Sequence, residues 1–107
     1  MYGAMERKIN WSCEASGDLE RIIKGGREDA GIYAALVIEE FREAARSLVH
    51  LADKRRVVPE FDDRSVREIF VKEYRLFYCL EKNRVVILGI MEGKEELSRL
   101  REKVQWL

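Results

Sequence analysis

The sequence has few of the residues on which many functional sites depend, since it contains one histidine, one proline and two cysteines. No apolar run reaches the roughly 18 residues that span a bilayer, and the opening MYGAMERK lacks the apolar stretch of a signal peptide. Basic and acidic side chains balance, so no net charge attracts the chain to nucleic acid or to anionic lipid. We therefore expect a cytoplasmic protein with no membrane association.

The scarcity of metal-binding residues also limits the chemistry. Cys13 and Cys79 do not form a CxxC motif, and both fall on segments predicted to be regular and buried, so we expect free thiols. His50 stands alone near the end of a predicted helix. The sequence therefore predicts no metal site and no cofactor.

The clearest structural pattern lies in residues 66–93, which read VREIFVKE, YRLFYCLE, a Lys82-Asn83 turn and RVVILGIMEG. Segments rich in β-branched and aromatic residues, separated by short polar breaks, predict a meander of three antiparallel strands. Alternation along the middle strand places Arg75, Phe77 and Cys79 on one face and Leu76, Tyr78 and Leu80 on the other. Because the last strand is apolar without alternation, we expect Val85, Ile87 and Leu88 to be among the most buried residues.

The residues before the meander predict a strand and two helices. Residues 7–11, RKINW, alternate as a short strand does, and Ser12 can cap a first helix that ends at Gly25-Gly26. Asp29 is a candidate N-cap for a longer second helix, whose apolar stripe consists of Tyr33, Leu36, Val37, Phe41, Ala44, Ala45, Leu48 and Leu51. The charged link of residues 54–64 contains the only proline, so we expect an irregular loop there.

After the meander, Leu97, Leu100, Val104 and Leu107 recur at helical spacing and predict an amphipathic C-terminal helix. The predicted order is therefore β-α-α-β-β-β-α. We expect one α+β domain, residues 1–107, in which a helical hairpin packs on a largely antiparallel four-stranded sheet.

This order, with INW before DLERI and the block Tyr74-Arg75-x-x-Tyr78 followed by Gly93-Lys94, resembles the RelE/ParE toxins of type II toxin–antitoxin modules. The likeness covers residues 7–97. It implies one of two activities: RelE-type members cut messenger RNA on the ribosome, whereas ParE-type members bind and poison DNA gyrase. It also implies a cognate antitoxin, with a homodimer possible when the antitoxin is absent.

If the protein is a nuclease, the resemblance implies that Arg75, Arg67 and Lys94 are the catalytic residues. The next positions are Glu95 and Glu96, whose carboxylates would repel a scissile phosphate. We therefore favour the ParE-like plasmid-stabilisation toxins and a non-nuclease inhibitor with a gyrase-type target. A ribosome-dependent endoribonuclease and an inactive relative stay open as alternatives, and Arg75 is either a structural anchor or a functional cation.

The candidate surfaces for the antitoxin are an apolar patch along the helical hairpin or along a sheet edge, where a helix or a strand of the antitoxin would dock, and the C-terminal helix. The candidate partner-binding residues are Tyr33, Leu36, Phe41, Leu97, Leu100 and Trp106.

Overall fold

The computed structural model describes residues 6–24, 31–61 and 63–92. Its strands are β1 (Lys8–Trp11), β2 (Arg56–Val57), β3 (Val66–Val71), β4 (Tyr74–Leu80) and β5 (Arg84–Glu92). Its helices are α1 (Cys13–Lys24) and α2 (Gly31–Leu51), and a 3-10 turn, Ala52–Lys54, follows α2. The fold class is α+β, as predicted.

The strands form one sheet in the order β1-β5-β4-β3-β2. β1 runs parallel to β5, while the neighbouring pairs β5–β4, β4–β3 and β3–β2 are antiparallel, which confirms the predicted meander. The sheet has five strands and not the four expected, because residues predicted to be loop pair with β3 as the short strand β2. The predicted C-terminal helix lies outside the described residues.

Both faces of the sheet bury side chains. The face under the two helices carries the larger core, which includes Ala15, Val37, Phe41, Leu76, Tyr78 and Ile87. The opposite face carries a smaller cluster, which we call the second-face cluster and which consists of Val58, Val66, Phe77, Cys79, Leu88 and Met91. Residues of β4 alternate between the two faces as predicted. The expected burial of Val85, Ile87 and Leu88 is also confirmed, because β5 lies between both clusters.

Local hydrogen bonds explain where the first helix begins. The backbone N–H of Ala15 donates to the Ser12 hydroxyl at 3.0 Å, so Ser12 is the predicted cap of α1. Cys13 then lies in the first turn of α1 and is exposed, which corrects the expected burial of this thiol; Cys79 is buried, and both cysteines are free. The predicted cap Asp29 is outside the described residues.

Within the described ranges, neither helix is long and apolar enough to cross a membrane.

Candidate functional site

Arg75 lies at the second position of β4, opposite Phe70 of β3. Its Nε donates to Oε1 of Glu68 at 2.9 Å, and its Nη2 donates to the same oxygen at 2.5 Å. Nη2 also lies 3.2 and 3.3 Å from the two carboxylate oxygens of Glu60. Two carboxylates that are distant from Arg75 in sequence therefore hold its guanidinium.

Two aromatic rings flank the same guanidinium. Cζ of Arg75 lies 5.0 Å from the ring centroid of Phe77 and 5.9 Å from that of Phe70, within the range of a cation–π attraction. Burial lowers the pKa of Arg75, but hydrogen bonds and charges from Glu60 and Glu68 raise it further, so the pKa lies above its ordinary value. Arg75 is therefore a permanently charged side chain in a partly apolar site.

Glu68 is the buried centre of this arrangement, with a side chain only 1% exposed. Its Oε1 accepts from Arg75, while the Nε of Arg56 lies 3.3 Å from Oε2 without satisfying that oxygen as a hydrogen bond. We call the four residues Arg56, Glu60, Glu68 and Arg75 the Arg75 network. The partners offset the cost of burying this carboxylate, because an isolated charge costs several kcal/mol away from water.

The network is poorly suited to bind a second anion. Burial raises the pKa of the Glu60 carboxyl, but the hydrogen bond and charge of Arg75 outweigh burial, so the pKa lies below its ordinary value of 4.5. Glu60 is therefore ionised at neutral pH. A phosphate that approached Arg75 would meet the charges of Glu60 and Glu68, so the geometry favours a structural anchor over a phosphate-binding cation.

Arg67 lies on the other face of the sheet from Arg75. Arg67 pairs with Tyr78 and Arg75 pairs with Phe70, and β3 has no register shift between these positions, so their side chains alternate. The Nη1 of Arg67 donates to the carbonyl of Asp53 at 2.8 Å and to that of Arg55 at 3.1 Å. Arg67 thus fastens β3 to the 3-10 turn, and the sheet keeps the two arginines apart. Lys94, the third predicted catalytic residue, lies outside the described residues.

The predicted partner-binding residues of α2 have two different environments. Tyr33 and Leu36 are 46% and 58% exposed, and the adjacent Ile32, which the sequence reasoning missed, is 79% exposed. Its i,i+4 spacing from Leu36 was the signal that could have identified Ile32. Phe41 is fully buried and stacks obliquely on Tyr74, with ring centroids 5.7 Å apart, so its assignment as a partner-binding residue is corrected. We call Ile32, Tyr33 and Leu36 the α2 patch.

The remaining candidate features carry less chemistry. Leu97, Leu100 and Trp106 lie outside the described residues. An open cleft at the start of α1 is lined by Ser12, Cys13, Glu14, Gly17 and Arg21. No group of three or more potential metal ligands occurs in the part of the chain that the structure describes.

Comparison with known protein families shows to which family the chain belongs. Residues 9–97 match the family described as the ParE toxin of the type II toxin–antitoxin system ParDE. The chain belongs to the ParE toxin family. The match covers nearly the same residues as the resemblance to RelE/ParE toxins found in the sequence, and curated proteins gave no match.

Several solved structures share the fold of this ParE-family chain, and two of them illustrate the similarity. One is described as the chromosomal ParDE toxin–antitoxin system from P. aeruginosa, with a TM-score of 0.68 and 17% identity, covering 81% of this chain and 96% of that chain. The other is the solution structure of a conserved hypothetical protein from Helicobacter pylori, with a TM-score of 0.55 and 14% identity, covering 83% and 97%. At these identities the likeness shows the fold alone.

Membership of the ParE family makes this protein the toxin component of a type II module, whose partner is a cognate antitoxin. The α2 patch and the Arg75 network are thus features of a toxin. The α2 patch is an exposed apolar surface, and in the Arg75 network the guanidinium is held by carboxylates of the same chain.

Proposed function

We propose that this toxin acts by binding and inhibiting a cytoplasmic target of the gyrase type and does not cleave RNA. The observation that carries this proposal is the engagement of Arg75 by Glu68 and Glu60. Cleaving RNA without a metal requires cations that converge on the scissile phosphate and stabilise its extra negative charge. The Arg75 guanidinium already has its negative partners within the protein.

The energies point in the same direction. A phosphate charge 4 Å from one carboxylate is repelled by about 1 kcal/mol in bulk water and by about 4 kcal/mol at the effective dielectric typical of a protein surface. Displacing Glu68 from Arg75 instead would leave a buried carboxylate without its main partner, at a cost of several kcal/mol. Arg67 gives no compensation because its side chain lies on the opposite face.

The family supports the choice of target. ParE-type toxins poison DNA gyrase, whereas the nucleases belong to the RelE-type branch of the superfamily. A binding inhibitor needs a recognition surface and no convergent set of catalytic groups, which agrees with the exposed α2 patch and the neutralised Arg75 network.

The test of the target uses the native protein in two assays. We expect purified protein, added to translating ribosomes, to leave messenger RNA intact in primer extension. We expect the same preparation to inhibit supercoiling by DNA gyrase or to trap gyrase on cleaved DNA. Codon-positioned cuts that disappear with Arg75→Lys, a variant that keeps a charge beside Glu68, would overturn the proposal and establish the nuclease alternative.

We further propose that the α2 patch binds the cognate antitoxin, and that a second copy of the chain takes its place when the antitoxin is absent. Three large apolar side chains are exposed on consecutive turns of one helix, and such a concentration is typical of a protein-binding surface. An amphipathic helix or an extended apolar segment suits this surface, because it presents side chains along the axis of α2.

A matched pair of substitutions on α2 tests this surface. Leu36→Glu places a charge in the patch, whereas Leu51→Glu places the same charge at the far end of the helix, where Leu51 is also exposed, at 44%. We expect Leu36→Glu to lose co-purification with the antitoxin encoded beside the toxin and Leu51→Glu to retain it. Equal binding by both variants would remove the α2 patch from the interface.

A further inference from the structure

The outer half of β5 extends beyond the strand that protects it. β1 pairs with β5 only as far as Trp11 opposite Ile87, whereas β5 continues to Glu92. Residues 85–91 of β5 read VVILGIM and carry no charge. An uncharged segment rich in β-branched residues, with its backbone groups open at a sheet edge, is the kind of strand that pairs with other chains.

In this protein Ser12, which caps α1, and Asp18 within α1 provide the hydrogen-bond partners that β1 does not. The backbone N–H of Ser12 donates to the carbonyl of Ile87 at 3.0 Å, and the Ser12 hydroxyl donates to the carbonyl of Leu88 at 3.2 Å. Two residues beyond Leu88, the backbone N–H of Ile90 donates to Oδ2 of Asp18 at 2.9 Å. Three backbone groups of β5 between Ile87 and Ile90 are therefore satisfied by Ser12, which caps α1, and by Asp18 within α1.

A bulge makes this arrangement possible. Tyr78 of β4 pairs with Ile87 and the preceding Phe77 pairs with Gly89, so Leu88 is the extra residue on β5. The bulge turns the carbonyl of Leu88 outward directly after that of Ile87, so that these two carbonyls accept from the backbone N–H and the hydroxyl of Ser12. The chain then turns into α1, which brings Asp18 over the next outward N–H.

Both side chains are held in place by further contacts. The Ser12 hydroxyl also accepts from the N–H of Ala15, which ties the edge contact to the start of α1. Asp18 is 3% exposed, and its Oδ1 is bound by Arg21, one turn further along the helix. A buried carboxylate that accepts a backbone N–H and pairs with an arginine is fixed in position, because releasing it would leave a charge unpaired away from water.

We infer that Ser12 and Asp18 close the edge of β5 in place of a strand, and that they prevent β5 of a second copy from pairing there. The uncharged outer part of β5 is then protected by Ser12, which caps α1, and by Asp18 within α1, while the α2 patch stays exposed. This protection does not depend on the target of the toxin.

The test compares three substitutions on α1. Asp18→Ala removes the acceptor for the Ile90 N–H, and Asp18→Asn keeps an oxygen in the same position. Glu20→Ala changes an exposed residue of the same helix that pairs with Lys24. Hydrogen exchange at the Ile90 amide is measured over a range of protein concentrations, together with sedimentation velocity.

For Asp18→Ala we expect exchange at Ile90 to accelerate on the order of tenfold or more at low concentration. At high concentration the same amide should regain protection as a dimer or larger assembly forms. In Asp18→Asn the exchange rate at Ile90 and the degree of association should be close to those of the native protein, and in Glu20→Ala they should be the same. If Asp18→Ala does not fold, Ser12→Ala and Asp18→Asn are compared in the same way, and Ser12→Ala should show the greater association.

Two results would overturn the inference. The first is an Ile90 amide that exchanges in Asp18→Ala as it does in Glu20→Ala or, where the fallback pair is used, association of Ser12→Ala no greater than that of Asp18→Asn. The second is association of Asp18→Ala that leaves the Ile90 amide unprotected at every concentration, because the copies would then meet through another surface.

Discussion

Removing Arg75 alone and removing Arg75 together with Glu68 should have very different effects on the stability of the protein. Arg75→Ala leaves the carboxylate of Glu68, 1% exposed, with only Arg56 at 3.3 Å from one oxygen. Removing one partner of a buried ion pair costs about 3 to 5 kcal/mol. A domain of this size is stable by about 5 to 15 kcal/mol, so the variant should lose a large part of its stability.

Urea unfolding followed by circular dichroism measures this loss. With an m-value of about 1 to 3 kcal/mol/M, the midpoint should fall by at least about 1 M. Replacing both partners, as Arg75→Met with Glu68→Leu, removes the charges together and should restore stability to within about 1 kcal/mol of the native protein, or exceed it. The reasoning is refuted if Arg75→Ala costs less than about 1 kcal/mol, or if the double variant is less stable than Arg75→Ala.

The same measurement bears on the two roles that the sequence leaves open for Arg75. A functional cation could be replaced by alanine with little loss of stability, whereas replacing a structural anchor removes a large part of it. Loss of an activity in Arg75→Ala would therefore report unfolding as readily as lost chemistry. The more conservative Arg75→Lys is the proper variant for the cleavage assay because it leaves a positive charge near Glu68.

Four further outcomes follow from particular side chains. Glu60→Gln, which changes the more exposed partner of Arg75, should cost less than about 1 kcal/mol at pH 7. Because the folded-state pKa of Glu60 is depressed, its stabilisation is present above pH 4.5 and is lost as the pH falls through the folded-state pKa, so the variant should lose stability less steeply on acidification. Tyr78→Phe should cost about 1 to 3 kcal/mol in urea unfolding, because the buried Ala52 carbonyl loses its donor at 2.6 Å. A thiol reagent should label exposed Cys13 in the native protein and reach Cys79, whose pKa burial raises, only after unfolding.

Much of the fold could be predicted because its signals are local. The alternation of Arg75 and Phe77 against Leu76 and Tyr78 follows from the period of a strand, and the Ser12 cap follows from its side chain. The strand β2 could not be predicted in this way, since two residues carry no periodicity. Its pairing depends on the register with β3, which brings together Arg56 and Glu68 across a long loop.

The candidate site was less predictable than the fold for the same reason. The acidic residue nearest to Arg75 in sequence is Glu73, two positions earlier, but the structure pairs Arg75 with Glu68 across the strands and with Glu60 from the link before β3. Both partners become visible only when the strand register is known. On α2, the apolar stripe predicted from sequence was too broad, because Phe41 faces the sheet whereas Leu36 faces away from it.

The position of Glu68 connects the stability of this protein to its proposed mode of action. The same buried carboxylate that holds Arg75 and Arg56 against the second face of the sheet also removes the positive potential that a scissile phosphate would need. A toxin that cut RNA would have to keep Arg75 accessible and find another way to stabilise this face. A toxin that acts by binding is under no such constraint, because the recognition surface that we propose lies on α2 and the sheet can be stabilised by buried ion pairs. The Arg75 network is therefore more consistent with an inhibitor than with an enzyme.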